Sequence, residues 1–303
     1  MKYLFKEFLL EDQHTLFIIG NGFDIACGIK SKYVDFRQWL KSNNTYPKLY
    51  ELMEHLFNNC EYDFWGDIEK ALGEYDEEQI MNACNLNPDI DYDHPIRYVS
   101  SIESTPDMFK SILDEFLEAF NNWVNSIDIT CAKKIGDLPQ DSKYLTFNYT
   151  ETLEKIYRIP KDNVLHIHGS RLSKEKGYII GHNNYRDRYD AYDKSQLYFI
   201  QKAQEDIIDD MNGLVKDTKS IIIQNQNFFH RLSNNIERVV VYGHSLSQID
   251  RPYIDEIVKQ IGIDEPWVIY YHTEDDNSSI ESFVKEKGLS SRPLKMYLFT
   301  GIQ

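Results

Sequence analysis

Four short segments of the chain carry side chains whose types and spacing suit chemistry. In "VLHIHGS" (164–170), strand alternation sends His166 and His168 to the same side, and Gly169 lets the backbone turn sharply beyond them. A histidine at the C-terminal end of a strand titrates near neutral pH and suits a general base, which marks His168. The other reading is a hydrogen-bonded histidine pair at a sheet edge. In "TFNYT" (146–150), Asn148 lies between a strand and the helical "ETLEKIY". It either offers its amide to a ligand or fills a turn ahead of Thr150 as helix cap. "LFIIGNGFDIACGIK" (16–30) runs from an apolar strand into Gly20, Gly22 and Gly28. Such glycines make a backbone cradle for a phosphate or a tight turn beneath a helix. Ile25 occupies the place where the dinucleotide fingerprint needs its third glycine. Asp24 offers a carboxylate either to a positive charge developing in a substrate or to the helix start. In "VVVYGHSLSQIDRPYIDEIV" (239–258), Gly243 and Ser245 suit contacts to phosphate or ribose, while Asp250 and Pro252 start a helix. Ser247 stands where a nucleophile elbow needs glycine, which argues against Ser245 as a hydrolase nucleophile.

The elements that must position these residues are short apolar runs. Strands are expected at 15–20, 143–149, 163–169, 177–182, 238–245 and 267–272. Several are continuously hydrophobic, as in parallel strands covered on both faces, and each ends in Gly, His, Asn or Ser. Helical spacing of Met108, Ile112, Phe116, Phe120, Trp123 and Ile127 predicts a helix over 106–127. Shorter helices are expected within 32–58 and 63–85, and a polar helical stretch over 195–235. The two prolines and many turn residues of 86–105 read as a loop. The expected fold is α/β: a mostly parallel, Rossmann-like sheet in a single domain over 1–303, with a largely helical insertion at 32–127 between the first two strands.

Composition narrows the partners. With 33 basic against 49 acidic residues the net charge is −16, which argues against a broad grip on nucleic acid. Cys27, Cys60, Cys84 and Cys131 form no C-x-x-C pair, so no zinc ribbon and no metal site is expected. The opening apolar run is broken by Glu7 and does not suit a signal peptide, and no stretch is apolar for long enough to span a bilayer. A cytoplasmic protein with reduced thiols and no membrane contact is the expectation.

Taken together, the blocks resemble two known patterns. "GNGFDIACGI" is similar to the sirtuin-type NAD site, with Gly20, Gly22, Gly28 and Ile29 at that family's spacing. Its Asp-Phe-Arg then resembles Asp35, Phe36 and Arg37, and its Thr-x-Asn-x-Asp resembles "TFNYT", where Thr150 replaces the aspartate. His168-Gly169 and Gly243-His244-Ser245-Leu246 complete the order. "IIGNGFDIACGIKSKYVDF", "FWGDIEKAL", "LTFNYTETLEKIY", "LHIHGS", "IIGH" and "YGHSLSQIDRPY" are similar to the bacteriophage abortive infection AbiH family from about residue 15 to 255.

These resemblances imply a sirtuin-like fold and an anti-phage effector that binds NAD and hydrolyses its N-glycosidic bond. They imply His168, Asn148 and Asp24 as catalytic residues, and a nucleotide site of Gly20, Asn21, Gly22, Phe23, Thr146, Gly169, Gly243, His244, Ser245 and Leu246. They leave room for a phage-derived protein as trigger, for a homo-oligomer, and for NADP or another nucleotide in place of NAD. Two other readings stand beside the enzyme: a nucleotide or ADP-ribose sensor without catalysis, and a defence scaffold acting through a partner protein. Glu69, Arg37 and His182 are further candidates, with a solvated helix face, a surface ion pair and a polar loop as their plain alternatives.

Overall fold

The computed structural model describes residues 14–58, 63–84, 94–172, 177–188, 198–233, 236–262, 265–271, 274–288 and 294–298. The described residues begin with β1 (Thr15–Ile19) and α1 (Asn21–Ala26). Five helices follow: α2 (Tyr33–Ser42), α3 (Leu49–Leu56), α4 (Ile68–Gly73), α5 (Glu77–Cys84) and α6 (Pro95–Ser126). Then come β2 (Lys143–Thr146), α7 (Thr152–Lys155), β3 (Val164–His166), α8 (Tyr198–Asn212), α9 (Thr218–Gln224) and α10 (Gln226–His230). The chain continues through β4 (Arg238–Tyr242), α11 (Arg251–Ile261), β5 (Trp267–Tyr271), α12 (Glu274–Glu286) and β6 (Leu294–Leu298).

Among the described residues six strands form one all-parallel sheet in the order β3-β2-β1-β4-β5-β6. This is the strand order of doubly wound, Rossmann-like sheets, in which the chain reverses direction of travel between β1 and β4. Ile19 is in register with both Thr146 and Tyr242, so β1, β2 and β4 end level and release their loops at the same edge. The central strands are mostly apolar because both faces are covered: all five residues of β1 are buried. Leu16, Ile18, Leu145, Val239, Val241 and Ile269 share a core with Phe229, Tyr253, Ile254 and Ile257 of the flanking helices.

The chain divides into two compact units. The first holds the sheet and comprises 1–32, 124–179 and 217–303; the second comprises 33–123 and 180–216. Within the second, Phe36 stacks on Trp123 at 5.0 Å and meets Phe120 and Trp65 edge-on. Among the described residues no helix is long and apolar enough to cross a membrane.

Three expectations need correction. Residues 95–105 are helical, not a loop, because Pro95 opens α6 where its missing N–H is no loss and Pro106 is carried inside the helix. The earlier part of that stretch, 86–93, lies outside the described residues. Residues 177–182 form no sheet strand. Ile179 N–H donates to the His168 carbonyl, while His182 makes only an isolated bridge with Val215. The sixth strand is instead β6, on the outer side of β5. Finally, β2 and β3 stop at Thr146 and His166, which leaves Phe147–Thr150 and Ile167–Ser170 as loops.

Candidate functional site

The loops after β1, β2, β3 and β4 and the residues they carry all belong to the first unit. The loops after β1 and β4 meet backbone to backbone. Gly20 N–H donates to the Tyr242 carbonyl at 3.0 Å, and Gly22 N–H to that of Gly243 at 2.9 Å. A side chain at Gly20 would run into the Gly243 carbonyl and sit 2.6 Å from the His244 Cα. Gly243 has φ +63°, and a Cβ there would stand 2.5 Å from the Gly22 carbonyl carbon. Both glycines are therefore required by the contact between the loops. Phe23 N–H bonds the Gly20 carbonyl, and the Phe23 ring is packed in the core against Tyr157 and Tyr242. Asn21 exchanges hydrogen bonds with Ser31, its Oδ1 accepting at 2.6 Å and its Nδ2 donating to the carbonyl at 2.8 Å.

Asp24 points inward from α1 and is 1 % exposed. The Thr150 hydroxyl donates to its Oδ2, and Thr152 Oγ1 lies 3.0 Å from that of Thr150. Asp24 Oδ1 is buried without a hydrogen-bond partner. Burial raises the Asp24 pKa; the hydroxyls of Thr150 and Thr152, the Asn148 amide and the charge of His166 oppose the rise. Thr150 thus spends its hydroxyl on Asp24.

The loop after β2 is held through its backbone. Asn148 N–H donates to Thr146 Oγ1 at 3.1 Å, and its carbonyl lies 2.9 Å from His166 Nδ1. The other ring nitrogen of His166, Nε2, meets Glu154 Oε1 at 2.8 Å. Asn148 Oδ1 is buried and, like Asp24 Oδ1, has no hydrogen-bond partner.

His168, past the end of β3, faces a residue that the sequence marks only as a helix start. Asp250 precedes α11, but its side chain makes no capping bond. Its Oδ1 lies 3.4 Å from His168 Nε2 and its Oδ2 3.4 Å from His244 Nε2, so one carboxylate serves two imidazoles. Leu246 N–H donates to His244 Nδ1 at 2.9 Å. That bond makes Nδ1 an acceptor and puts a proton on Nε2, facing Asp250. Leu246 holds this geometry with a left-handed backbone, φ +53°. The Phe147 ring lies 4.1 Å from that of His244 and 5.2 Å from that of His168, and Tyr253 meets His168 edge-on. Gly169, at φ +90°, turns the chain away beyond His168. Ser245 is exposed next to the inward-turned His244.

Spacing along the chain pointed to His168, Asn148 and Asp24 and missed Asp250, Glu154, Phe147 and Tyr253. Asp250 lies within "GHSLSQIDRP", where the alternation of polar and apolar residues gives no sign that its carboxylate turns inward. The remaining candidates lie in the second unit. Arg37 is paired with Glu54, which also accepts from Trp65 Nε1 at 2.8 Å. Glu69 binds Lys216 Nζ at 2.8 Å. His182 Nε2 donates to the Met211 carbonyl at 3.0 Å, and burial lowers its pKa. Among the described residues no group of three or more His, Cys, Asp or Glu is arranged to hold a metal ion.

No curated protein and no solved structure matches this chain. A family model does, over residues 16–271, and that span contains β1 from its second residue, all of β2 to β5 and every loop of the site. By that match the chain belongs to the family described as bacteriophage abortive infection AbiH, and membership supports a role in phage abortive infection.

Proposed function

We propose that this protein binds NAD and hydrolyses its N-glycosidic bond, and that loss of NAD is how it acts in abortive infection. The observation that carries the reading is a pair of buried acceptors, Asp24 Oδ1 and Asn148 Oδ1, left without partners on the loops after adjacent strands β1 and β2. Buried oxygens without donors cost about 1–3 kcal/mol each, and ribose hydroxyls are the donors that a nucleotide supplies. The next loop, after β3, carries a histidine backed by a carboxylate.

In this reading the bond from C1′ of the ribose to nicotinamide breaks with its electron pair going to the leaving nicotinamide. A water oxygen bonds to C1′, and His168 accepts the water proton. Asp250 stabilises the imidazolium that forms. Its 3.4 Å approach is loose, as such contacts often are before substrate binds. Asn148 orients the ribose, and the Asp24 carboxylate faces the positive charge that develops on it. Exposed Ser245 takes the remainder of the dinucleotide; Gly20 and Gly22, whose N–H groups are spent on the Tyr242 and Gly243 carbonyls, serve by holding that loop in place, with Thr146 and Gly169 shaping the loops that carry Asn148 and His168.

The test is proton NMR of NAD mixed with purified protein, following the nicotinamide and adenine signals. Free nicotinamide from the wild type, and at least about 100-fold less from His168→Ala, is the expected result. Line broadening without turnover replaces the enzyme with a sensor. No change in either signal overturns the nucleotide reading, and a co-purifying protein then points to a scaffold.

A further inference from the structure

We propose that His166 and Glu154 form a charged pair whose work is to position Asn148. His166 ends β3 in register with Thr146, and its ring lies between two oxygens: the Asn148 carbonyl at Nδ1 and the Glu154 carboxyl at Nε2. Both residues are largely buried, at 10 % and 8 % side-chain exposure. A carbonyl only accepts, so Nδ1 carries a proton. A carboxylate at Nε2 also accepts, and a neutral imidazole has one N–H, so the doubly protonated ring is the form that satisfies both. Glu154 Oε2 is buried without a partner, which makes the His166 charge the neutralising group for that carboxylate.

The consequence falls on Asn148. Its N–H is held by Thr146 and its carbonyl by His166, so the peptide groups on both sides of its Cα are fixed. This fixes the direction of the Asn148 Cα–Cβ bond and limits the rotamers from which Oδ1 can be aimed. The same imidazolium favours the ionised form of Asp24 against the effect of burial. His166 is thus a positioning residue that reaches the reaction through Asn148 and Asp24. This role in catalysis rests on the NAD reading; the charged clamp does not.

The experiment uses the full chain labelled with ¹⁵N-histidine and ¹⁵N-asparagine, the His166 ring signals assigned by comparison with His166→Gln and the Asn148 side-chain amide by comparison with Asn148→Ser. With both oxygens in place, the wild type should show a proton on each His166 ring nitrogen. Glu154→Gln, which preserves shape, should give a ring with one bare nitrogen and shift the Asn148 side-chain amide. A singly protonated His166 in the wild type overturns the proposal, as does an unmoved Asn148 amide in a folded Glu154→Gln. If that variant does not fold, the wild-type ring spectrum decides. Where wild type releases nicotinamide, Glu154→Gln should lower kcat between about 10- and 100-fold with KM little changed, as for a misplaced group. Unchanged kcat refutes the catalytic role. If the wild type releases no nicotinamide, the NAD reading falls and the two spectra still decide the clamp.

Discussion

Asp24→Asn separates two roles for a carboxylate near a helix start. A residue that serves only the helix terminus stabilises it, and its removal costs about 0.5–2 kcal/mol. Asp24 is placed differently: α1 is preceded by Gly20, and the Asp24 side chain lies wholly inside the protein with one oxygen bonded by Thr150 and the other unpartnered. Burying one carboxylate costs several kcal/mol, and a single charge-assisted hydrogen bond returns about 1.5–3 kcal/mol. Asparagine retains an oxygen for the Thr150 hydroxyl without the charge, so the variant should be more stable than wild type by about 1–3 kcal/mol at pH 8. The pH dependence has a definite sign. Burial raises the folded pKa above 3.8, so the folded protein holds the extra proton over the interval between the unfolded and folded values. The wild-type contribution is full below the unfolded value and lost as pH rises through the folded one; the variant, which never ionises, is spared this loss. Urea unfolding of both proteins from pH 4 to 8 should show the gap widening as pH rises through the folded pKa of Asp24. A wild type more stable than Asp24→Asn at pH 8, or a gap independent of pH, refutes the reasoning. The same variant should lose nicotinamide release, the usual pairing of gained stability with lost activity at a working site.

Three further outcomes are expected. Gly243→Ala forces a Cβ into the backbone of Gly22 and Phe23 at a positive φ, and should cost more than about 3 kcal/mol in urea unfolding, whereas Gly262→Ala, at φ +77° with open space around it, should cost about 1 kcal/mol. Asp250→Asn, which leaves α11 without losing a capping bond, should lower nicotinamide release by about 100-fold at unchanged far-UV circular dichroism; unaltered turnover would remove Asp250 from the mechanism. Burial pushes the Cys27 thiol up to about 12, so iodoacetamide at pH 8 should modify exposed Cys131 and spare Cys27 in the folded chain, as read by peptide mass spectrometry.

What the sequence discloses of this molecule depends on where an element lies in the sheet. β1, β4 and β5 are covered on both faces, so burial alone writes them as the continuous runs "TLFII", "RVVVY" and "WVIYY". "LKMYL" of β6 follows Arg-Pro and contains a lysine, as a strand at the sheet margin is free to do, and it is passed over. "GYIIGH" is as apolar as a strand yet pairs with no strand of the sheet, since apolar character reports burial and not hydrogen bonding. In α6 the prolines mislead for a related reason: Pro95 marks a beginning, not a break.

The site follows the same division between local and distant information. His168, Asn148 and Asp24 stand out because each lies just beyond an apolar run, a property of a few consecutive residues. Their partners do not. Asp250 reads as the start of α11 because aspartate before Arg-Pro is favourable there on local grounds; His244 shares its loop, and only the order β3-β2-β1-β4 of the sheet brings that loop to His168. Thr150 reads as a helix cap, yet its hydroxyl is spent on Asp24. A carboxylate at position 150 would instead face buried Asp24 at like charge, and one of the two would have to stay protonated. Thr150→Asp should therefore hold one extra proton in the folded state near neutral pH, measurable by potentiometric titration against the wild type; uptake of none would mean that Asp24 and residue 150 do not share the site.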